Sequence, residues 1–386
     1  MNASRDDALK IGVLFSRTGL TAFVEETQAR AVLLAIDEVN AAGGVGGRPV
    51  VPVEVDAQSD PARFAHLAER LLGEEAVALI VGCYMSNTRQ AVVPIVERYR
   101  ALLAYPSPYE GFEYSANVVY GGAVPNQHIV LLARHLMRHA GKRFYLVGTR
   151  YAFPIESNRV MITLVTEQGG QVLAERYVPL DARRRDFAAI AEDIRKRQPD
   201  VVFCTVIGEA ARLFYEACRD AGLDESLAIA GLTITEAEVA MMGPALAAGH
   251  LTAATYFQSI DSPENARFLA AYAEKFGSAD AVNAMTETAY SLTHQVLAAV
   301  DSAGSSQPEA IKAALCETEF AAPQGRIRID PDNSHFYLWP RIGRLSADGR
   351  FAIVEQAAAA VKPDPYLVRH SIDDCDPSIE PIDRHD

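Results

Sequence analysis

Neutral hydrogen-bonding side chains stand at the ends of two apolar runs between residues 81 and 107. Tyr84 and Ser86 follow the first run, and Tyr105 and Ser107 follow the second. No charged side chain stands among these four residues. Phenols and hydroxyls both donate and accept hydrogen bonds, so together they match the carbonyl and NH2 group of an amide. The pattern therefore predicts a pocket for a small, neutral, hydrogen-bonding molecule.

Residues of the same kind follow apolar runs elsewhere in the chain. Ser16 and Thr18 follow residues 11–15, and the second half supplies Tyr151, Phe153, Gly208 and Thr233. Taken singly, such residues are more typical of helix caps or surface packing. Their shared position matters because ligands of open α/β sheets bind at the carboxyl ends of the strands. We therefore predict that the two sets face each other across a cleft between two lobes.

Charged ligands fit this pattern poorly. A receptor for amino acids needs a carboxylate for the ammonium group and donors for the α-carboxylate. This cluster of residues offers no carboxylate at a strand end, although Glu110 and Glu236 are close enough in sequence to enter the pocket.

Other motifs give no catalytic or metal-binding prediction. His135 and His139 lie four residues apart in HLMRH, but the Glu of a zinc protease and a nearby third ligand are absent from that motif. The glycine-rich segment at residues 43–50 follows a helix and precedes a strand, which is typical of a helix end and turn. No G-x-S-x-G motif occurs. We predict no enzyme activity, no cofactor and no metal.

Apolar runs of four to six residues alternate with helical patterns along most of the chain. We predict an α/β fold of two doubly wound parallel-sheet lobes with a ligand cleft between them. The predicted N-terminal lobe comprises residues 1–122 and 254–324, and the C-terminal lobe comprises 123–253 and 325–370. Residues 371–386 are predicted to form a tail.

Composition and charge restrict the partners. The net charge of −14 argues against direct contact with nucleic acid, because phosphate binding needs a basic patch. The sequence has no run of about 18 apolar residues, so no membrane span is predicted. The five cysteines are scattered, which indicates free thiols and a reducing compartment. Together with the absence of an apolar leader before the first strand, this predicts a cytoplasmic protein.

Nine segments resemble one known family. The chain is similar to the amide-sensing negative regulators of aliphatic amidase operons, which belong to the type I periplasmic-binding-protein family near its leucine/isoleucine/valine and urea receptors. The matching segments are NAAGGVGGRPV, VGCYMSNTR, YPSPYEGFEYS, VVYGGAVPNQ, FPIESN, PDVVFCTVIG, LTITEAEVA, AAPQGRIRI and KPDPYLV. The resemblance extends from residue 11 to residue 370.

The resemblance implies two lobes that close on a small aliphatic amide or urea. The ligand-binding residues that it implies are Tyr84, Ser86, Tyr105, Ser107, Tyr151 and Thr233, with Phe153 beside them. Ser107 stands where the amide sensors have Thr, and Phe153 stands where they have Tyr. The resemblance also implies a partner, an RNA-binding antiterminator that the sensor sequesters until an inducing amide binds.

Three functions from different classes remain open at this stage. The first is a cytoplasmic amide sensor that regulates amidase expression. The second is the substrate-binding component of an ABC transporter for urea or short amides. The third is an enzyme acting on amides, for which the sequence offers no activated nucleophile. The oligomeric state is left open, with a homo-oligomer as one possibility.

Overall fold

The computed structural model describes residues 8–223 and 227–368. The predicted tail and Cys375 lie outside these residues. Five strands form a first sheet of order β2-β1-β3-β4-β5, and all of its pairings are parallel. The strands are β1 (Leu9–Phe15), β2 (Val50–Asp56), β3 (Leu79–Gly82), β4 (Leu103–Tyr105) and β5 (Val118–Tyr120).

Helices connect the parallel strands of this first sheet. They are α1 (Ala22–Ala41), α2 (Pro61–Gly73) and α3 (Ser86–Tyr99). Strands β1 and β3 are buried almost throughout, which explains their continuous apolar sequence, because helices cover both faces of a parallel sheet. The strand order reverses between β1 and β3, so the ends of these strands border the crevice where such sheets bind ligands.

A second sheet repeats this topology. Its order is β15-β14-β10-β9-β8-β6-β7, and the strands from β6 to β10 are parallel neighbours in the same arrangement as the first five. The strands are β6 (Arg143–Thr149), β7 (Gln171–Val178), β8 (Val201–Thr205), β9 (Ala228–Gly231) and β10 (Leu251–Ala254), with β14 (Arg341–Leu345) and β15 (Phe351–Gln356) added antiparallel. The helices are α4 (Ile129–His139), α5 (Ala152–Glu167), α6 (Arg184–Arg197), α7 (Glu209–Asp220) and α8 (Glu236–Met242).

The remaining elements follow β10. Helices α9 (Pro263–Phe276), α10 (Ala284–Ala303) and α11 (Pro308–Cys316) return to the first lobe, where α10 packs along α1. A small antiparallel sheet contains β11 (Glu319–Ala322), β12 (Gly325–Ile329) and β13 (Phe336–Tyr337). No helix among residues 8–223 and 227–368 is long and apolar enough to cross a membrane.

The chain passes between the lobes where the sequence has small residues. At Gly122 a Cβ atom would lie 2.0 Å from the carbonyl carbon of Ser107, so only glycine fits this crossing. The predicted division between residues 253 and 254 falls inside β10, and the division between 324 and 325 falls inside the β11–β12 hairpin. The two-lobed α/β class is confirmed, whereas the domain ranges stay predictions.

Candidate functional site

A small cavity lies between the two lobes at the carboxyl ends of their strands. Its volume is about 20 Å³, and a cavity of roughly 10–15 Å³ by this measure already holds one water molecule. The lining residues are Tyr84, Ser86, Pro108, Tyr151, Phe153, Leu232, Thr233 and Met285. We call this cavity the cleft. Five of the seven predicted ligand-binding residues therefore meet around one space.

A turn of unusual backbone geometry positions the wall from the first lobe. Cys83 follows β3 with φ of +68°, in the left-handed region that residues other than glycine rarely adopt. Its N–H donates to the carbonyl of Leu14 at 3.0 Å, which holds the turn against β1. This turn places Tyr84 at the cleft, and α3 begins two residues later at Ser86.

Two hydroxyls at the cleft already donate hydrogen bonds to other groups of the protein. Ser86 Oγ donates to Glu110 Oε2 at 2.5 Å, and Thr233 Oγ1 donates to the carbonyl of Val206 at 3.0 Å. A hydroxyl has only one proton but two lone pairs. Ser86 and Thr233 therefore present acceptors to a ligand, and the ligand must supply N–H or O–H groups.

Two phenols at the cleft have the opposite character. Neither the Tyr84 nor the Tyr151 hydroxyl has a hydrogen-bond partner among residues 8–223 and 227–368. Burial raises the pKa of both phenols well above the ordinary value, so both remain protonated at neutral pH. They are free to donate to a ligand carbonyl. The cleft thus offers two donors and two acceptors.

Tyr105 and Ser107 do not line the cleft. The Tyr105 hydroxyl donates to the backbone carbonyl of Tyr84 at 2.8 Å. Ser107 Oγ accepts from Gln28 Nε2 at 3.1 Å and lies 3.4 Å from the carbonyl of Cys83, to which it donates. Both side chains are fully buried behind the turn after β3. The structure assigns them a supporting position, and direct contact with a ligand stays a prediction.

The other strand-end residues named from the sequence do not border the cleft. Ser16 Oγ accepts from the Ser59 N–H, and Thr18 Oγ1 donates to Asp56, so both organise the loops after β1 and β2. Gly208 precedes α7 with φ of +66°. These residues follow strands, as the sequence indicated, but their side-chain hydroxyls bond to other parts of the protein.

Three lining residues were missed by the sequence reasoning. Pro108 and Leu232 are next to the predicted residues Ser107 and Thr233 in the sequence. They were missed because only polar and aromatic residues at strand ends were considered. Met285 comes from the first turn of α10, far away in the sequence. No local signal marks it, because only the packing of α10 against the first lobe brings it to the cleft.

A buried ion network lies behind Ser86. Arg89 is completely buried and contacts Glu110 at 3.1 Å and Glu113 at 2.8 Å. Glu110 therefore does reach the site, as the sequence allowed, but its charge is balanced by a guanidinium. Glu236 accepts from the Gln258 N–H at 3.0 Å, and burial raises its pKa to about 7. It is not among the residues that line the cleft.

A larger cavity lies elsewhere in the described residues. It has a volume of about 610 Å³ and is bordered by α7, α8 and the segment before β10, all in the second lobe. Among its polar side chains, the Tyr215 hydroxyl bonds to His250 Nδ1, whereas His250 Nε2 is buried without a hydrogen-bond partner among the described residues. The first lobe contributes nothing to this cavity. We therefore favour the smaller cleft, where functional groups of both lobes converge.

Two lobes of equal topology around a polar cleft define a bilobal receptor for small molecules. The chain matches the family described as periplasmic binding protein domain over residues 9–372, and it belongs to that family. It is 27% identical over 345 residues to a Leu/Ile/Val-binding protein homolog of Brucella suis biovar 1 (strain 1330), covering 86% of each chain.

Solved structures show the same fold. An ABC transporter solute-binding protein of R. palustris, in complex with 4-hydroxybenzoate, superposes with a TM-score of 0.85 at 24% identity, covering 94% of this chain and 100% of that one. The branched-chain amino acid binding protein LivJ of Streptococcus pneumoniae, in complex with isoleucine, gives a TM-score of 0.80 at 20% identity, covering 92% and 100%.

These findings correct the prediction of a cytoplasmic protein, which was wrong. The family is one of periplasmic binding proteins, and the similar structures are solute-binding proteins of ABC transporters. The free cysteines misled the prediction because Cys83, Cys204 and Cys218 are buried and Cys316 alone among the described cysteines is exposed. Buried thiols are protected from oxidants in any compartment.

The resemblance to the amide-sensing regulators of amidase operons is not confirmed. The relatives reported above are solute-binding proteins rather than regulators of an amidase operon. The amide-sensing branch and the antiterminator partner therefore stay predictions from the resemblance alone. The family is one of binding proteins, and the predicted lack of enzyme activity stays a prediction for this chain.

Proposed function

We propose that this protein is the periplasmic solute-binding component of an ABC importer for urea or short neutral amides. Its family and its structural neighbours support the importer class. The cleft supports the ligand class. Of the functions left open by the sequence, this one accounts for both observations.

The direction of the hydrogen bonds at the cleft carries the proposal. Ser86 and Thr233 accept hydrogen bonds from the ligand, because each hydroxyl already donates its one hydrogen bond to the protein. Tyr84 and Tyr151 are free to donate hydrogen bonds. An amide has one carbonyl that accepts and one NH2 group that donates twice. Urea has the same carbonyl and two such groups. Both ligands satisfy every free polar group that we find at the cleft.

A ligand carboxylate fits the cleft much less well than an amide does. Its oxygens would face the lone pairs of Ser86 and Thr233, and the Glu110 carboxylate lies directly behind Ser86. The Arg89 guanidinium pairs with the two carboxylates of Glu110 and Glu113, so this cluster has no net positive charge to attract an anion. The ligands of the structural neighbours, 4-hydroxybenzoate and isoleucine, both carry a carboxylate, so the family fold alone does not set the ligand.

Size restricts the ligand further. The cleft has a volume of about 20 Å³, little more than the space of one water molecule, so its ligand must be small. The aromatic face of Phe153 and the side chains of Leu232 and Met285 provide apolar contacts for a short alkyl group. Acetamide and urea, with four heavy atoms each, then enter with a small separation of the two lobes.

Residues of both lobes contact the ligand in this arrangement. Tyr84 and Ser86 belong to the first lobe, and Tyr151 and Thr233 belong to the second. A ligand that satisfies both sets stabilises the closed state relative to the open one. The closed state is then the form that an importer recognises, because only it carries cargo.

Calorimetric titration with acetamide and acetate tests the ligand class. The two molecules have nearly the same shape, but acetate replaces the NH2 group with a charged oxygen. We expect acetamide and urea to bind, and acetate to bind at least roughly 30-fold more weakly, since it leaves two buried acceptors unpaired at a cost of about 1–3 kcal/mol each. Isoleucine and 4-hydroxybenzoate serve as further ligands. Tight binding of either one without amide binding would refute the proposal.

Fractionation of native cells tests the importer role separately. Osmotic shock should release the protein with the periplasmic contents, and deletion of its gene should slow uptake of labelled urea or acetamide. Release only after cell lysis, combined with normal uptake, would contradict the importer role while leaving the ligand class intact.

A further inference from the structure

Two histidines at the end of α4 lie beside a carboxylate that is distant in the sequence. The rings of His135 and His139 are 4.7 Å apart between centroids. His135 Nδ1 lies 2.7 Å from Glu355 Oε2 on β15. The sequence motif lacks a third ligand, but the second sheet supplies one from its edge strand, β15.

The three side chains form a set of metal-binding groups. One ligand atom from each of His135, His139 and Glu355 can be chosen so that all three lie within 4.8 Å of one another. Bonds of about 2.0–2.2 Å from nitrogen and carboxylate oxygen to zinc would bring such atoms to roughly 3.4 Å apart. His139 is exposed, so its side chain is free to make the small adjustment that this requires.

The His135 ring carries a second indication of a missing partner. Its side chain is only 7% exposed. Its Nε2 atom is buried and has no hydrogen-bond partner among residues 8–223 and 227–368. An imidazole with one nitrogen bonded to a carboxylate and the other unpaired is costly when buried.

We propose that His135, His139 and Glu355 bind a divalent transition-metal ion of the zinc type. Imidazole and carboxylate together suit zinc, nickel and copper better than calcium or magnesium. Three protein ligands leave a fourth position for water. The site joins the C-terminal end of α4 to the edge strand of the second sheet, so occupancy should stabilise the second lobe.

One neighbouring cation limits the affinity of this site. Arg134 Nη2 lies 3.3 Å from Glu355 Oε1, the second oxygen of the same carboxylate. Glu355 therefore shares its charge between the guanidinium and the metal. Because the carboxylate is 24% exposed, solvent and a metal ion can both reach it.

Calorimetric titration of the full chain with Zn²⁺, after removal of bound metal with EDTA, tests the site. We expect saturable binding of one ion per chain and a rise in the melting temperature that EDTA reverses. His139→Ala and Glu355→Gln should each weaken binding at least roughly tenfold, because each removes one of three ligands. His139 is exposed, so its substitution should leave the fold of the metal-free protein unchanged.

His66→Ala is the matched control, since His66 is an exposed histidine on α2 in the other lobe. It should leave zinc binding unchanged. Absence of saturable binding to the wild-type chain would overturn the proposal. Equal affinity of the wild-type chain and both His139→Ala and Glu355→Gln would also overturn it. Neither result depends on which solute the cleft binds.

Discussion

Hydroxyl groups that look alike in the sequence differ in the structure according to where their protons go. The hydroxyls of Ser86 and Thr233 donate hydrogen bonds to the protein and can only accept from a ligand. The hydroxyls of Tyr84 and Tyr151 make no such bond and can donate to a ligand. Tyr105 donates to the backbone of Tyr84 and supports the turn instead. At the scale of single residues, the specificity of the cleft therefore depends on hydrogen-bond direction more than on residue type.

Tyr84→Phe should weaken amide binding without destabilising the protein. The substitution removes a phenol that has no protein partner among the described residues, so only the bond to the ligand is lost. We expect a loss of about 1–3 kcal/mol, or roughly 5- to 150-fold in affinity, depending on how completely the ligand carbonyl is left unpaired. Calorimetry with acetamide and thermal unfolding of the same samples measure both effects.

Tyr109→Phe provides the opposite control. The Tyr109 hydroxyl bonds to His335 Nε2 at 2.6 Å in the core and does not line the cleft. This variant should unfold at a lower temperature and keep the wild-type affinity. If Tyr84→Phe behaved in the same way, Tyr84 would be a structural residue rather than a ligand donor.

At the scale of elements, helix α3 connects the cleft to the core. Its first residue, Ser86, borders the cleft, and Arg89 one turn later is completely buried between Glu110 and Glu113. The guanidinium also lies 4.9 Å from the centre of the Tyr105 ring, within the range of a cation–π contact. The helix thus holds the loop that carries Glu110 against the back of Ser86.

Arg89→Met should be strongly destabilising. It leaves Glu110 and Glu113 without the buried cation that balances them, and breaking a buried ion pair typically costs about 3–5 kcal/mol. Arg98→Met on the same helix is the matched control, because Arg98 and its partner Glu69 are 55% and 51% exposed. An exposed pair contributes at most about 1 kcal/mol. Urea denaturation of both variants measures the contrast, and equal losses would contradict the assigned importance of burial.

At the scale of the whole molecule, burial of carboxyl groups sets the response to pH. Burial raises the pKa of four carboxyl groups to about 7, well above the ordinary value of 4.5. They are Glu25, Glu236, Glu238 and Glu287. They lie in both lobes, so their combined effect belongs to no single element.

Stability should therefore fall as pH rises from about 5 to about 8. Below pH 4.5 these groups are protonated in both states; above it the unfolded chain releases protons that the folded chain retains until about pH 7. The folded state binds more protons in this window, so the free energy of unfolding decreases as pH rises through it. Hydrogen bonds hold the pKa of Glu38 and Asp56 below the ordinary value, so acidification below pH 4 is also destabilising.

Denaturation curves between pH 5 and pH 8 measure this slope. Glu238→Gln removes one of the four titrating groups and should make the slope shallower. An unchanged slope in this variant would show that Glu238 titrates normally in the folded protein.

Much of the fold followed from local pattern. The apolar run at residues 11–15 lies within β1, which extends over Leu9–Phe15, and a helix follows it as the alternating pattern indicated. Strand β10 was not predicted, because its four residues, LTAA, have no strong strand preference and pair only through the sheet around them. Short elements of this kind depend on tertiary pairing.

The sequence by itself determined the two-lobed α/β fold and the polar, uncharged character of the cleft. Alternating strands and helices dictate parallel sheets, and the carboxyl ends of such strands must meet at one edge. Only the tertiary structure decided which hydroxyls donate and which accept, that Tyr105 and Ser107 lie behind the cleft, and that Met285 and Glu355 join groups far from them in sequence. Hydrogen-bond direction and long-range proximity depend on packing, which no local pattern records.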